Sequence, residues 1–151
     1  FIVPPFLLLE SDILYEERAL HILQESTTEN AILLSGPTHS GDEVYVAGNE
    51  GRIQAISKDR RIVPHPVGEL TGLSLIGEET HAALLAYARR VFPGGKAEHY
   101  ETDALNRIAP SFPLHYVLAQ DLVWCEIDDT DHLERARTKI LPALRFKEKT
   151  T

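Results

Sequence analysis

The sequence predicts one α/β domain, with a mixed, mostly parallel sheet that is flanked by helices and carries an antiparallel hairpin. Apolar runs typical of buried strands occur at 6–9 and 122–125, and each runs into carboxylates and then into a helical pattern. The segment 48–51, Gly-Asn-Glu-Gly, separates two strand-like segments as a hairpin turn does. The remaining elements do not alternate regularly, which favours a mixed sheet over a simple βαβ array.

Each element follows from a local pattern. Short apolar or alternating segments predict strands at 6–13, 31–35, 43–47, 52–57, 70–76, 114–118 and 121–127. Apolar residues at helical spacing predict helices at 15–24, 79–91, 100–108 and 130–144. Thr130 is the expected N-cap of the last helix. Residues 1–144 are predicted to form a single domain, and the charged tail 145–151 is expected to fray.

Composition restricts the possible functions. The chain has 151 residues, of which 43% are hydrophobic and 25% charged, as in ordinary globular domains. Its net charge of −8 argues against nucleic-acid binding, which needs a basic surface. No apolar run approaches the ~20 residues of a membrane helix, so no membrane partner is expected. Cys125 is the single cysteine and is interpreted as a buried structural thiol, and a cytoplasmic location is expected.

Carboxylates follow the first and the last predicted strands. Asp12 precedes the first helix, and Glu126 and Asp128 lie two residues apart, on one face of a strand. Ligands bind at the carboxyl ends of strands in open α/β sheets, and carboxylates there suit Mg²⁺. The alternative for Asp12 is an acid that stabilises the start of a helix. Asp42 and Glu43 could bind metal, although acids that begin the hairpin are the preferred interpretation, and the scattered histidines are interpreted as ordinary surface or partly buried residues.

Several segments together resemble the C-terminal part of a nucleotidyltransferase domain, in particular the cytidylyltransferases that act on phosphocholine or 2-aminoethylphosphonate, some of them fused to phosphoenolpyruvate mutase. The segments are Leu-Leu-Glu-Ser-Asp-Ile at 8–13, Ser-Gly-Asp-Glu-Val-Tyr-Val at 40–46, Ser-Lys-Asp at 57–59, Gly-Glu-Leu-Thr-Gly at 68–72, Tyr-Glu-Thr at 100–102 and Trp-Cys-Glu-Ile-Asp at 124–128. The resemblance implies a Rossmann-like nucleotidyltransferase fold. It also implies a reaction of CTP with a small phosphoryl or phosphonyl alkylamine that releases pyrophosphate.

The resemblance implies roles for individual residues. Asp12 and Asp128 match the metal-binding acids, with Mg²⁺ as the implied cofactor. Lys58 matches a catalytic lysine that contacts the acceptor phosphoryl group, in a cluster with Arg60 that would attract an anionic substrate. The remaining implied substrate-binding residues, which suit an acceptor ammonium group, are Glu69, Tyr100, Glu101 and Glu126.

The sequence departs from the family in one respect. The family begins with a glycine-rich segment that cradles the nucleotide phosphates, and no such segment occurs here. The chain has no methionine either, so we expect it to be a portion of a longer protein that is inactive alone. Two alternatives remain: a sugar-1-phosphate nucleotidyltransferase, or a non-catalytic domain with a dimerising role. The hairpin 43–57 is a candidate contact of a possible homodimer.

Overall fold

The structure is a computed structural model that describes residues 2–94 and 99–148, apart from the side chains of Tyr100, Glu101 and Glu148. Its strands are β1 (Phe6–Leu9), β2 (Ile13–Tyr15), β3 (Ala31–Ser35), β4 (Tyr45–Asn49), β5 (Arg52–Ser57), β6 (Gly68–Ile76), β7 (His115–Ala119) and β8 (Trp124–Glu126). Its α-helices are α1 (Arg18–Gln24), α2 (Glu78–Val91), α3 (Asn106–Ile108), α4 (Thr130–Arg135) and α5 (Leu141–Glu148). A π-helical segment, Tyr100–Leu105, leads into α3, and another, Ala136–Ile140, joins α4 to α5.

Six strands form the main sheet, in the order β1-β6-β3-β7-β5-β4. The predicted α/β class, with a mixed sheet, flanking helices and a hairpin, is confirmed. The expected majority of parallel pairs was wrong, because β3 and β7 run parallel and the other pairs described in this sheet are antiparallel. Parallel neighbours need a long crossover, usually a helix, whereas β4, β5 and β6 follow one another with no helix between them.

Strand β6 pairs with three other strands of the main sheet. Its residue Glu69 pairs with Ser35 at the end of β3 and with Tyr45 at the start of β4. Further along β6, Leu73 to Ile76 pair with β1. The start of β6 therefore lies between the end of β3 and the start of the hairpin, where three chain segments converge.

A separate two-stranded sheet joins β2 to β8, with Ile13 opposite Glu126 and Tyr15 opposite Trp124. The prediction of one long strand at 6–13 was wrong, because the chain leaves β1 after Leu9 and turns before β2 begins. Asp12 lies in that turn and accepts a backbone hydrogen bond from Ile127, 2.8 Å between N and O. The two predicted acidic segments are thus neighbours, through direct strand pairing rather than through a shared edge of the main sheet.

Strand β3 is buried on both of its faces, as its continuous apolar sequence predicts. Ile32 and Leu34 pack into a core with residues of the hairpin, α2 and α3. Ala31 and Leu33 face the opposite side, in a second core with α1. Each buried leucine stabilises such a core by roughly 1.5–3 kcal/mol. In the ranges 2–94 and 99–148, no helix has both the length and the apolar character needed to cross a membrane.

The last helical run differs from the prediction at both ends. Its N-cap is Asp129 rather than Thr130, because the Asp129 carboxylate accepts hydrogen bonds from the N–H groups of Asp131 and His132. Helix α5 continues to Glu148, past the predicted end at residue 144. Residues 145–148 are therefore helical, and the rest of the predicted tail lies outside the described residues.

Candidate active site

Three carboxylates meet where β2 pairs with β8. Asp12, Glu126 and Asp128 each offer an oxygen, and the three oxygens lie within 4.8 Å of one another. The antiparallel register places Asp12 beside the end of β8, and Asp128 follows two residues after Glu126. The side chains predicted to bind metal, Asp12 and Asp128, are thus brought together, with Glu126 as a third member of the cluster. Oxygen-only donors of this kind suit Mg²⁺.

The charge around Glu126 is concentrated. Burial raises the pKa of the Glu126 carboxyl above its ordinary value, and the carboxylates of Asp128, Asp42 and Asp12 raise it further. The Lys58 ammonium group opposes this effect and lowers the pKa of Glu126. Lys58, which follows the last residue of β5, is therefore electrostatically coupled to the acid cluster, and its side chain is exposed. A divalent cation among these carboxylates would relieve their mutual repulsion.

A second group of donors shares Asp128. Asp42, Asp128 and His132 also have donor atoms within 4.8 Å of one another. His132 Nε2 lies 3.5 Å from Asp42 Oδ2, and His132 Nδ1 lies 4.0 Å from Asp128 Oδ2. We preferred an acid that begins the hairpin over a metal ligand for Asp42 and interpreted His132 as an ordinary histidine, so this juxtaposition was not predicted. Its sequence signal was the spacing of Asp128 and His132, four residues apart at the start of a helix.

Glu69 is almost completely buried at the start of β6, with 5% of its surface exposed. Its Oε2 accepts hydrogen bonds from the backbone N–H of Thr38 at 2.9 Å and from the Thr38 hydroxyl at 2.8 Å. Burial raises the pKa of Glu69, although these two bonds act in the opposite direction. Thr38 lies in the loop after β3, so this carboxylate is held at the carboxyl end of that strand.

A cleft of about 430 Å³ opens beside Glu69. Its lining includes Glu43 and Tyr45 from the start of the hairpin and Arg60 from the loop after β5. The Arg60 guanidinium lies 4.7 Å from the centre of the Tyr45 ring, as in a cation–π contact. The cleft is therefore lined by a guanidinium group and by carboxylates.

A smaller cavity, of about 60 Å³, shares lining residues with the cleft and with the acid cluster. Glu69 and Glu43 line both spaces, while Asp42 and Glu126 line the cavity. Trp124 also lines the cavity and packs against the α1 core. Of the predicted substrate-binding residues, Glu69 and Arg60 thus line the cleft, and Glu126 lines the smaller cavity and belongs to the acid cluster.

The remaining residues named in the predictions are Tyr100, Glu101 and Cys125. The side chains of Tyr100 and Glu101 lie outside the described residues. Cys125 is buried, and burial raises the pKa of its thiol, as expected of a structural cysteine.

Comparison with known proteins identifies the architecture. No protein-family profile matches the sequence. The inositol-1-phosphate CTP transferase from T. maritima superposes with a TM-score of 0.65 at 16% identity, over 96% of this chain and 58% of that protein. The chain has a nucleotidyltransferase fold. A protein from Bacillus anthracis assigned as a glucose-1-phosphate thymidylyltransferase, solved with sucrose, gives a TM-score of 0.62 at 16% identity, over 86% of this chain and 52% of that protein.

The chain therefore spans between half and three fifths of the length of these two nucleotidyltransferases. Both of their names specify a phosphorylated polyol or sugar, and neither specifies an alkylamine acceptor.

Proposed function

We propose that the protein containing this chain is a divalent-cation-dependent nucleotidyltransferase that joins CTP to a small phosphoryl or phosphonyl acceptor. The observation that carries the proposal is the convergence of Asp12, Glu126 and Asp128 beside Lys58, within a fold shared with nucleotidyltransferases. In the reaction, an acceptor oxygen forms a bond to the α-phosphorus of CTP. The bond from that phosphorus to the bridging oxygen breaks, and pyrophosphate leaves.

The acid cluster would hold the cation. The donors of this group, Asp12, Glu126 and Asp128, are all carboxylates, and such a donor set fits Mg²⁺. When bound, the cation supplies positive charge that reduces the repulsion between the reacting phosphate groups. The three side chains would hold it, with Glu126 half-buried and Asp12 and Asp128 exposed.

Lys58 and Arg60 would bind the acceptor phosphoryl or phosphonyl group. Both lie in the loop that follows β5, and Lys58 is coupled to Glu126 while Arg60 lines the cleft. Their positive charges would orient an anionic group between the cleft and the acid cluster. In this arrangement Lys58 is the catalytic residue, because its ammonium group is electrostatically coupled to Glu126 of the acid cluster.

The cleft favours an acceptor that also carries an ammonium group, such as 2-aminoethylphosphonate or phosphocholine. Glu69, Glu43 and Arg60 all line the cleft, so groups of both charges are available to a zwitterionic ligand. Burial makes the carboxylate of Glu69 costly to ionise, and an ammonium group bound beside it would offset that cost. The sequence resemblance to the mutase-associated cytidylyltransferases favours 2-aminoethylphosphonate over phosphocholine.

A sugar-1-phosphate acceptor is the second candidate. Its support is that the two nucleotidyltransferases of the same fold are named for inositol-1-phosphate and glucose-1-phosphate. The carboxylates of Glu43 and Glu69 could accept hydrogen bonds from sugar hydroxyls, and Gln120 also lines the cleft.

The test is a pyrophosphate-release assay on the full-length gene product with CTP and Mg²⁺. The acceptors to compare are 2-aminoethylphosphonate, phosphocholine and glucose-1-phosphate. We expect release with an alkylamine acceptor, and release with glucose-1-phosphate alone would establish the sugar-phosphate alternative.

Asp128→Asn should lower kcat/KM by at least about 100-fold. The matched control is Asp131→Asn, an exposed acid three residues away that should leave the rate unchanged. A folded full-length protein that releases no pyrophosphate with any acceptor would refute the proposal.

A further inference from the structure

The backbone of His39 lies in the left-handed region, with a φ of 56°. A Cβ makes this conformation unfavourable, and residues held in it cluster at functional sites. Among the described residues, Glu50 is the other non-glycine residue with a positive φ, at 50°. Glu50 lies at the tip of the hairpin, where a tight turn requires such angles, whereas His39 lies in the longer connection 36–44 between β3 and β4.

The residue before His39 anchors this part of the loop to the sheet. The backbone N–H and the hydroxyl of Thr38 both donate to Oε2 of Glu69, at 2.9 Å and 2.8 Å. Glu69 is only 5% exposed and lies in β6, so its carboxylate is a fixed acceptor. Two hydrogen bonds to a buried carboxylate can offset the unfavourable backbone angle of the next residue.

His39 is exposed and lines the cleft of about 430 Å³ together with Arg60, Glu43 and Glu69. A phosphoryl or phosphonyl group offers several strong acceptor oxygens, and both guanidinium and imidazole N–H groups donate to such oxygens. Arg60 and His39 come from different loops, one after β5 and one after β3. The cleft therefore offers a second donor of this kind besides Arg60.

We propose that His39 determines acceptor affinity, and that its ring N–H binds an oxygen of the acceptor's phosphoryl or phosphonyl group. The unfavourable backbone angle is retained because it belongs to the loop conformation that places the imidazole at the cleft. This inference rests on the proposed function, which makes the cleft the acceptor site. It applies equally to an alkylamine and to a sugar acceptor, since both carry the group that His39 would bind.

The first experiment compares steady-state kinetics of His39→Asn with the wild type in the full-length protein. Asparagine tolerates the left-handed region, so this variant keeps the backbone and removes the imidazole. The acceptor is the one that supports pyrophosphate release. We expect its KM to rise by about 10-fold or more, as for loss of a hydrogen bond to a charged group, and the KM for CTP to change by less than about 2-fold. Glu50→Asn is the matched control and should change neither value.

Stability separates this role from a structural one. His39→Gly and Glu50→Gly both place glycine at a positive φ, where it is not strained. We expect neither variant to have a lower Tm than the wild type, and relief of strain should raise the Tm by up to about 4 °C. Only His39→Gly should weaken acceptor binding. A lower Tm for His39→Gly would show that the side chain serves the fold, and would overturn the proposal.

A third measurement needs no variant. Addition of the acceptor, or of 2-aminoethylphosphonate if no acceptor supports release, should shift the ring ¹⁵N resonances of His39 in the wild-type protein. His21, at an exposed position on α1, is the internal control and should not shift. The absence of a shift at His39, or an unchanged acceptor KM in folded His39→Asn, refutes the assignment. A rise in the KM for CTP in place of the acceptor KM refutes it as well.

The two proposals fail in different ways. Binding of 2-aminoethylphosphonate that depends on His39, without pyrophosphate release from the full-length protein, supports the assignment of His39 and refutes nucleotidyl transfer. Pyrophosphate release with an acceptor KM that is independent of His39 gives the opposite result.

Discussion

Asp129 determines where the last helical run begins. Its Oδ1 accepts hydrogen bonds from the N–H groups of Asp131 at 2.9 Å and His132 at 2.8 Å. These bonds satisfy two N–H groups that have no partner within the helix. The backbone hydrogen bond from His132 is also the main cause that lowers the pKa of the Asp129 carboxyl. One exposed side chain thereby fixes the direction in which His132 enters the candidate site.

Asp129→Ala should lower the Tm by roughly 2–4 °C at neutral pH. Because the folded pKa of Asp129 is depressed, the stabilisation is present above the ordinary pKa of 3.8 and disappears as the pH falls below it. Thermal unfolding of both proteins at several pH values measures this convergence. Thr130→Ala, which alters the residue next to the true cap, is the control and should leave the Tm nearly unchanged. Equal losses in the two variants would contradict the assignment of the cap.

The sequence places the acids better than it places their partners. Asp12 and Asp128 were expected together because each follows an apolar strand, and the structure brings them together. Asp42 and His132 are ninety positions apart in the chain, and only the folding of the hairpin loop against α4 makes them neighbours. The choice between adjacent Asp129 and Thr130 as N-cap depends on backbone angles that neither residue type specifies alone.

Among the strands, β6 contains an irregularity in its pairing with β3 that the predicted strand at 70–76 did not include. Ile32 of β3 pairs with Ser74, but Leu34 pairs with Leu70, so β6 carries additional residues within this interval. The hydroxyl of Thr71 donates to the backbone oxygen of Leu33 at 2.8 Å, within the bulge. Gly72 adopts a positive φ of 74° there. The bulge lets one strand serve β4 at its start and β1 at its end.

Gly72→Ala should therefore be costly, by about 2–4 kcal/mol in the free energy of unfolding. An added Cβ would lie 2.5 Å from Oε2 of Glu10, in addition to the strain of the positive φ. Gly51→Ala is a matched control, because Gly51 has a φ of 77° at the hairpin tip and its Cβ would meet no atom within 4 Å. We expect that control to lose about 1–2 kcal/mol. Urea unfolding measures both, and equal losses would show that Glu10 does not restrict the bulge.

Strand lengths illustrate what local patterns leave undetermined. The apolar run that begins at Phe6 predicted one strand over 6–13. Instead the chain turns at Asp12, and it pairs with β6 before that turn and with β8 after it. The hairpin, by contrast, was recognisable from Gly-Asn-Glu-Gly at 48–51, and in the structure Glu50 and Gly51 at its tip have positive φ. Turns that depend on residue chemistry are visible in a sequence, whereas a change of pairing partner depends on distant strands.

At the scale of the whole molecule, an ionic cluster joins the last helix to the beginning of the chain. Lys147 Nζ lies 3.2 Å from both Glu16 Oε2 and Asp121 Oδ2. Arg18 contacts the same two carboxylates, at 2.6 Å and 3.0 Å. The cluster connects α5, α1 and the turn before β8, and so it helps to hold α4 and His132 against the acid cluster. A stretch expected to fray therefore contributes to the tertiary structure.

Lys147→Met should lower the free energy of unfolding by about 1 kcal/mol, since Glu16 is only 8% exposed and would keep Arg18 as its remaining partner in the cluster. Arg145→Met removes the same charge from an exposed position on α5 and should change stability by less than about 0.5 kcal/mol.

The hydrogen bond from Arg18, followed by that from Lys147, lowers the pKa of Asp121 to about 2. A carboxyl with a depressed pKa stabilises the fold above its ordinary value of 3.8, and that contribution is lost as the pH falls towards 2. The difference between the two variants should therefore be largest near neutral pH, smaller at acidic pH, and reduced by salt, because Asp121 is 70% exposed. Chemical denaturation at two pH values and two salt concentrations measures this pattern, and indistinguishable variants would mean that the cluster does not hold the last helix in place.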